Sequence, residues 1–455
     1  MKKKLLFFNV TFLLSLVICG QCPTGNGAGN IFLSQAEIDN FAITYPNCTS
    51  IKNLTLSGPV SNLNGLSQLT TIVGHLDISS AEFVNEVNEA INYPLVDISG
   101  LNNIVNIGGA IILRNIPNLN GTNIFPALTN MGSLFIAEKT PSSLSGFNNV
   151  TSMDAGGLVI LQTNQLVNFS GLSKITEIPS ININLNSMLT NIAGFNNLTN
   201  VTGDFNFQTN SNLLDLSAFE SLNNVSGNLL IDGCTSLTNL IGLNNLKIIG
   251  GYLVISNNNS LETLNGLNNL SSINSSLTIT NNPKLLEIKD LIKLSSTTLM
   301  DISNNISLTS LVGLDNINPS INGLFIRNSP QLSTCNVMSV CSYLSNGGNP
   351  TISGNANGCE NLNQVVTACN NLSVSQNDLE NKIEIFPNPT NAILNIKSRD
   401  NKILNKIVIS DLTGKIIFTN NQNTNKINVQ SLSKGLYFLE LFSGDLKLVH
   451  KFIKE

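Results

Sequence analysis

Residues 253–273 read LVISNNNSLETLNGLNNLSSI, and residues 277–297 read LTITNNPKLLEIKDLIKLSST. The same grammar returns as MDISNNISLTSLVGLDNI from Met300 and LFIRNSPQL from Leu324. Working outward, earlier copies begin at Leu229, Phe205, Ile181, Leu158, Leu134, Ile111 and Leu76, with a half-copy at Leu54. The corner positions Gly171, Gly194, Ala218, Gly242, Gly266, Asp290 and Gly313 lie 23 or 24 residues apart. A fixed period of this length is the signature of a stacked-repeat architecture. In one copy, Leu253 and Ile255 alternate with period two, which predicts a short strand with one face buried. Leu261, Leu264, Leu267, Leu270 and Ile273 then recur every three residues, which fits tight 3-10-like coils better than a long helix. No copy can bury its apolar edge alone, so the copies must stack into a continuous core beside a parallel sheet. Twelve rungs at about 4.8 Å give a length of roughly 50 Å.

One column fixes the register. Asn186, Asn210, Cys234, Asn258, Asn282, Asn305 and Ser329 occupy the same place in successive copies. A turn after each strand leaves inward backbone groups unsatisfied, and an Asn amide can both donate to and accept from them. Cys234, small and tolerant of apolar surroundings, is expected there as a buried free thiol and not as a nucleophile.

The chain around the repeats is that of an exported protein. Lys2, Lys3 and Lys4 precede an apolar run from Leu5 to Ile18, too short to span a bilayer comfortably and suited to a secretory signal over residues 1–20. Cleavage after Gly20 is preferred to lipidation at Cys19, because bulky Ile18 fits a lipoprotein signal poorly. Charged residues are only 11% of the chain, so Asn, Ser and Thr must keep the surface wet. Charge is also uneven: residues 21–379 carry 9 bases against 21 acids, and residues from 380 onward carry 11 against 7. That break marks a domain boundary, and an acidic, base-poor repeat region argues against nucleic-acid partners. Cys22 and Cys48 flank an N-terminal cap over residues 21–50, in which Ser34 and Glu37 have capping-box spacing. Cys335, Cys341, Cys359 and Cys369 mark a C-terminal cap over 335–370, and four cysteines allow three pairings. With neither C-x-x-C pairs nor more than two histidines, disulfides in an oxidising compartment are expected, and no metal or cofactor.

The L-x-L-x-x-N pattern and its spaced leucines over 51–334 resemble leucine-rich repeats, and the Gly-Leu corner resembles the receptor L-domain type. Asn258 stands three residues before Leu261, where the common consensus has two, and this is a departure. The cysteine-rich caps of extracellular leucine-rich repeats imply the interleaved pairs Cys335–Cys359 and Cys341–Cys369, beside Cys22–Cys48. After a linker over 371–381, residues 382–455 alternate as strands between turns, an antiparallel Ig-like sandwich pattern. Phe386-Pro387-Asn388-Pro389, Asp411 with Gly414-Lys415, Gly435 with Tyr437, and Lys451-Phe452 resemble the type A sorting domain of the type IX secretion system. The resemblance implies a bacterial chain that crosses the outer membrane after periplasmic transit, with the secretion machinery and its sortase as partners.

Catalytic motifs such as Gly-x-Ser-x-Gly, H-E-x-x-H or a P-loop do not occur in the sequence. A polysaccharide-acting β-helix enzyme is the alternative, and it would need acids and bases clustered on neighbouring rungs. Asp232 and Asp301 are separated by two intervening rungs, and Asp204 and Asp232 lie on adjacent rungs but in different columns. A ligand-free stalk is the other alternative. Binding or adhesion through the outward sheet face, to a protein or glycan, is the preferred expectation, with Asp232, Tyr252, Asp301, Phe325 and Arg327 as candidate contacts. Finally, Gly65 to Gly100 spans 35 residues, so about 11 extra residues are expected to bulge near 81–91, with Glu82, Glu86 and Glu89 on one helical face.

Overall fold

The fold is taken from a computed structural model that describes residues 22–23, 30–56, 58–79, 95–119, 124–139, 143–380, 383–398, 404–412, 414–422, 424–443 and 446–455. The expected signal segment and the 81–91 insertion lie outside the described residues.

Fourteen strands run in one continuous parallel ladder. In chain order they are β1 (Asn30–Phe32), β2 (Leu54–Leu56), β3 (Leu76–Ser79), β4 (Asn106–Arg114) and β5 (Asn130–Ala137). Then come β6 (Ser152–Leu161), β7 (Ile181–Asn184), β8 (Phe205–Gln208), β9 (Leu229–Asp232) and β10 (Leu253–Ser256). The last four are β11 (Ser276–Thr280), β12 (Leu299–Ser303), β13 (Gly323–Arg327) and β14 (Thr351–Ser353). The mainly β repeat solenoid read from the sequence is therefore present, and its twelve copy starts pair in register from Leu54–Leu76 to Met300–Leu324. A slip of one residue would turn every buried side chain outward, so the inward Leu and Ile columns hold this register. Both caps extend the ladder by one strand, since Asn30 pairs with Leu54 and Phe325 with Thr351. Thirteen steps make a stack about 60 Å long.

The inner face forms one continuous core that runs from Phe32 and Phe41 to Val365 and Cys369. Between strands the chain turns at the corner positions, and two backbone solutions occur there. Single 3-10 turns form at Ser170–Leu172, Ser217–Phe219 and Lys289–Leu291, where Ala218 and Asp290 are accommodated. Left-handed corners form at Gly194, Gly242, Gly266 and Gly313, with φ between 111° and 125°. At Gly266 a Cβ would stand 1.9 Å from the Leu240 carbonyl oxygen, so only glycine fits. Phe169, Phe195 and Phe219 stack beside these corners at 5.4 Å centroid spacing.

The caps are built differently at the two ends. Helix α1 (Gln35–Thr44) starts on Ser34 and Glu37 as a reciprocal capping box and buries Ile38 and Phe41. At the other end, α2 (Met338–Ser345) and α3 (Leu362–Glu380) contribute Val340 and Val365 to the same core. Helix α3 runs through residues 371–380, so the segment read as a linker is helical.

Beyond it lie two antiparallel sheets with a core of their own, in agreement with the expected sandwich. One holds β15 (Ile383–Phe386), β16 (Ile393–Ser398) and β19 (Lys426–Asn428). The other holds β17 (Lys406–Ser410), β18 (Ile416–Asn420), β20 (Gly435–Ser443) and β21 (Leu446–Lys454).

Candidate binding face and sorting domain

Below the sheet face, the Asn column forms a buried ladder. Asn186, Asn210, Cys234, Asn258, Asn282, Asn305 and Ser329 are all fully buried. Each amide oxygen accepts the backbone N–H of the preceding rung, as Asn258 Oδ1 does from Cys234 N (2.9 Å) and Asn282 Oδ1 from Asn258 N (3.1 Å). Each Nδ2 reaches back to a strand carbonyl, as Asn258 does to Ile231 O (3.0 Å). Two further members were not read from the sequence. Thr163 donates to Asn186 Oδ1 at the start, and Asn355 Oδ1 accepts from Ser329 N at the end. Burial pushes the Cys234 thiol up to about 12, the pattern of an inert structural cysteine. Disulfides join Cys22 to Cys48, Cys335 to Cys359 and Cys341 to Cys369, with Cα separations of 5.0, 5.6 and 5.4 Å. Cys234 is free.

Of the five candidate contacts, the structure brings three together. Arg327 Nη2 lies 3.1 Å from Asp301 Oδ2, and its guanidinium covers the Phe325 ring at 5.1 Å. Its Nε donates to Ser303 Oγ, whose hydroxyl is also bonded to Asp301. This network on β12 and β13 satisfies itself. Asp232 is a separate acceptor for Ser256 Oγ and Asn257 Nδ2, both at 2.6 Å. Tyr252 precedes β10, and its N–H donates to Asn228 Oδ1 (3.1 Å). No group of His, Cys, Asp or Glu able to hold a metal occurs among the described residues.

A second feature of the face escaped the sequence reading. Over β3 to β6 a cleft of about 580 Å³ is lined by Asp77, Ile112, Arg114, Ser133, Phe135 and Val159. Ile112, Phe135 and Val159 are paired neighbours in one outward column, all half-buried. The available signal was the composition of three consecutive strands, AIILR, SLFIA and GLVIL, which are apolar on both faces, as are LLID and LVIS on β9 and β10 with Leu230 and Val254 outward.

In the C-terminal sandwich, the motif residues knit the chain end to the domain start. Pro387 and Pro389 both follow cis peptide bonds. Asn388 between them donates from Nδ2 to Lys451 O and accepts at Oδ1 from Ile453 N, each at 2.9 Å. Phe452 is fully buried and stacks on Tyr437 at 5.6 Å, and the Tyr437 hydroxyl donates to Ser433 O. Asp411 Oδ1 accepts from Lys415 N across a turn in which Gly414 is left-handed, while Gly435 opens β20 and Lys451 is exposed.

No helix among the described residues is long and apolar enough to cross a membrane. Residues 384–455 match the family described as secretion system C-terminal sorting domain, and residues 199–298 match the receptor L domain. The cell surface GPI-anchored protein ECM33 of Candida albicans is 28% identical over 157 residues, which are 33% of this chain. The chain spans 37% of that relative's length. The protein thus joins a receptor L-domain-like repeat solenoid to a type IX secretion sorting domain, and a chain so sorted is exported to the cell surface.

Proposed function

We propose that this is a non-catalytic binding or adhesion protein whose solenoid offers its outward sheet face to an extracellular protein or glycan. The observation that carries this is the open face of the fourteen-strand parallel ladder, with mixed aromatic, amide and charged side chains and an apolar cleft. In this proposal residues 1–20 are the signal peptide, 21–50 and 335–370 the caps of a 51–334 leucine-rich-type solenoid, and 371–381 the segment cleaved by the sortase. Residues 382–455 serve export. The scattered face carboxylates support binding over catalysis, because Asp301 is committed to Arg327 and Asp232 to Ser256 and Asn257. The test is to challenge residues 21–455 with a glycan array and a peptide display library, alongside polysaccharides assayed for released chain ends. Saturable binding without turnover is expected; release of chain ends would overturn the proposal.

A further inference from the structure

Helix α3 has two halves that are held by different forces. The first half belongs to the solenoid cap. Asn361 caps it by accepting at Oδ1 from Gln364 N (3.1 Å), Val365 is fully buried in the core, and Cys369 is buried and bonded to Cys341. These anchors end at Cys369. The residues that follow, NNLSVSQNDLE over 370–380, continue the helix with a sequence poorly suited to it. Asn, Ser, Val and Asp fill seven of those eleven positions, and all four are weak helix formers. Asp378 and Glu380 stand in the last turn, where there is no basic residue, so two carboxylates meet the negative end of the helix dipole. A stretch this short is marginal as an isolated helix in water.

The second half is tethered at both ends. Cys369 fixes one end to the solenoid, and Ile383, buried in the core of the sorting domain, fixes the other. Helix α3 also lies against β15 and β21, the first and last strands of that domain. As helix, residues 370–380 span about 16 Å. Extended, the same residues reach about 36 Å. Unwinding therefore gives about 20 Å of slack between two domains that keep separate cores. A protease takes its substrate as an extended strand and pairs with its backbone groups. A helix has already committed those groups to its own hydrogen bonds.

Resting on the reading of 371–381 as the cleaved segment, we infer that residues 370–380 are a conditional helix that withholds that segment and yields it by unwinding. Opening runs from the C-terminal end and stops at Cys369, where the disulfide to Cys341 and the buried Val365 hold the remaining turns. Cleavage then leaves the cap of the solenoid complete, because its helix anchors and all three disulfides stay with the released chain. Where opening and reclosing are fast, cleavage follows the population of the open form. The weak half of α3 thus sets how long the sorting domain stays attached.

The experiment treats residues 21–455 with subtilisin, maps the first cut by intact mass, and follows loss of residues 382–455 from producing cells by pulse-chase. The first cut is expected within 370–380 and not within 362–369. Asn371→Ala, Ser373→Ala, Asn377→Ala and Glu380→Lys together strengthen the helix and should slow both reactions at least tenfold, with slower amide exchange over 370–380. Val374→Pro breaks the helix and should speed both at least fivefold with the solenoid Tm unchanged. A synthetic peptide of residues 368–383 with the four strengthening substitutions should be cut by subtilisin within threefold of the unsubstituted peptide. Equal slowing in that peptide would place the effect in sequence recognition and overturn the inference. A first cut outside 370–380, or equal rates in the three chains, would also overturn it while export stands. Chains that reach the surface and keep residues 382–455 would overturn the cleavage reading and this inference with it.

Discussion

Replacing Asn258 by alanine should destabilise the solenoid far more than replacing Cys234, one rung away in the same column. Asn258 is fully buried and bonds two backbone groups, accepting from Cys234 N at 2.9 Å and donating to Ile231 O at 3.0 Å. Alanine removes both bonds from a fully buried position. Each buried unsatisfied group costs about 1–3 kcal/mol, so the expected loss is about 4 kcal/mol. At position 234 the thiol makes only weak polar contacts, 3.9 Å to Asp232 O and to Asn210 on the neighbouring rung, so Cys234→Ala should lose about 1–2 kcal/mol. Denaturant unfolding followed by circular dichroism gives the two losses. Amide exchange then locates them, because coupling in a repeat array falls mainly on neighbouring rungs. The Cys234 amide should lose protection in Asn258→Ala. A loss below about 1 kcal/mol for Asn258→Ala, or a larger loss for Cys234→Ala, would refute the ladder as a source of stability.

Gly266→Ala should lower solenoid stability by about 2 kcal/mol or more, since φ is 120° and the new Cβ meets Leu240 O, while Ala218→Gly at a 3-10 corner should change it little; equal effects in calorimetry would contradict the two corner types. Alkylation followed by intact-mass measurement of residues 21–455 should label no cysteine in the native protein and one after denaturation without reductant; Cys234 recovered in a disulfide would contradict this. The raised Cys234 pKa also sets a pH window, because the unfolded thiol ionises near 8.5 and the folded one near 12. Stability from keeping it neutral is fully present below about pH 8.5 and is lost as pH rises toward 12, and Cys234→Ala should flatten that alkaline decline in a Tm-against-pH series. Phe452→Ala should cost the sorting domain about 3–5 kcal/mol by emptying the site beside Tyr437; a calorimetric loss under about 1 kcal/mol would show that the chain end is not part of its core.

The strand register was legible because each inward column repeats an apolar residue at a fixed place, and the Asn column marks the turn that follows. The terminal strands were not, because Asn30–Phe32 and Thr351–Ser353 sit in cap segments whose composition follows cysteines and turns and not the repeat. A column of left-handed residues after the strands was hidden for another reason. Asn257, Asn281 and Asn304 look like ordinary turn residues, and only the coordinates show that Glu138, Gln162 and Leu185 share their conformation. The sequence reading named Asp232, Tyr252, Asp301, Phe325 and Arg327 as candidate contacts, because charged and aromatic residues stand out on an outward strand face. The structure pairs Arg327 with Asp301 and adds an open cleft on rungs whose apolar residues look like plain core.

The most direct test is surface shaving of intact producing cells with protease, comparing the full chain with one that lacks Lys451 to Glu455. Residues 451–455 complete β21, bury Phe452 and supply both partners of Asn388. Peptides from residues 51–334 should be shed from cells carrying the full chain and should be recovered only from the periplasm in the truncated one. Equal shedding from both would contradict export through the C-terminal domain.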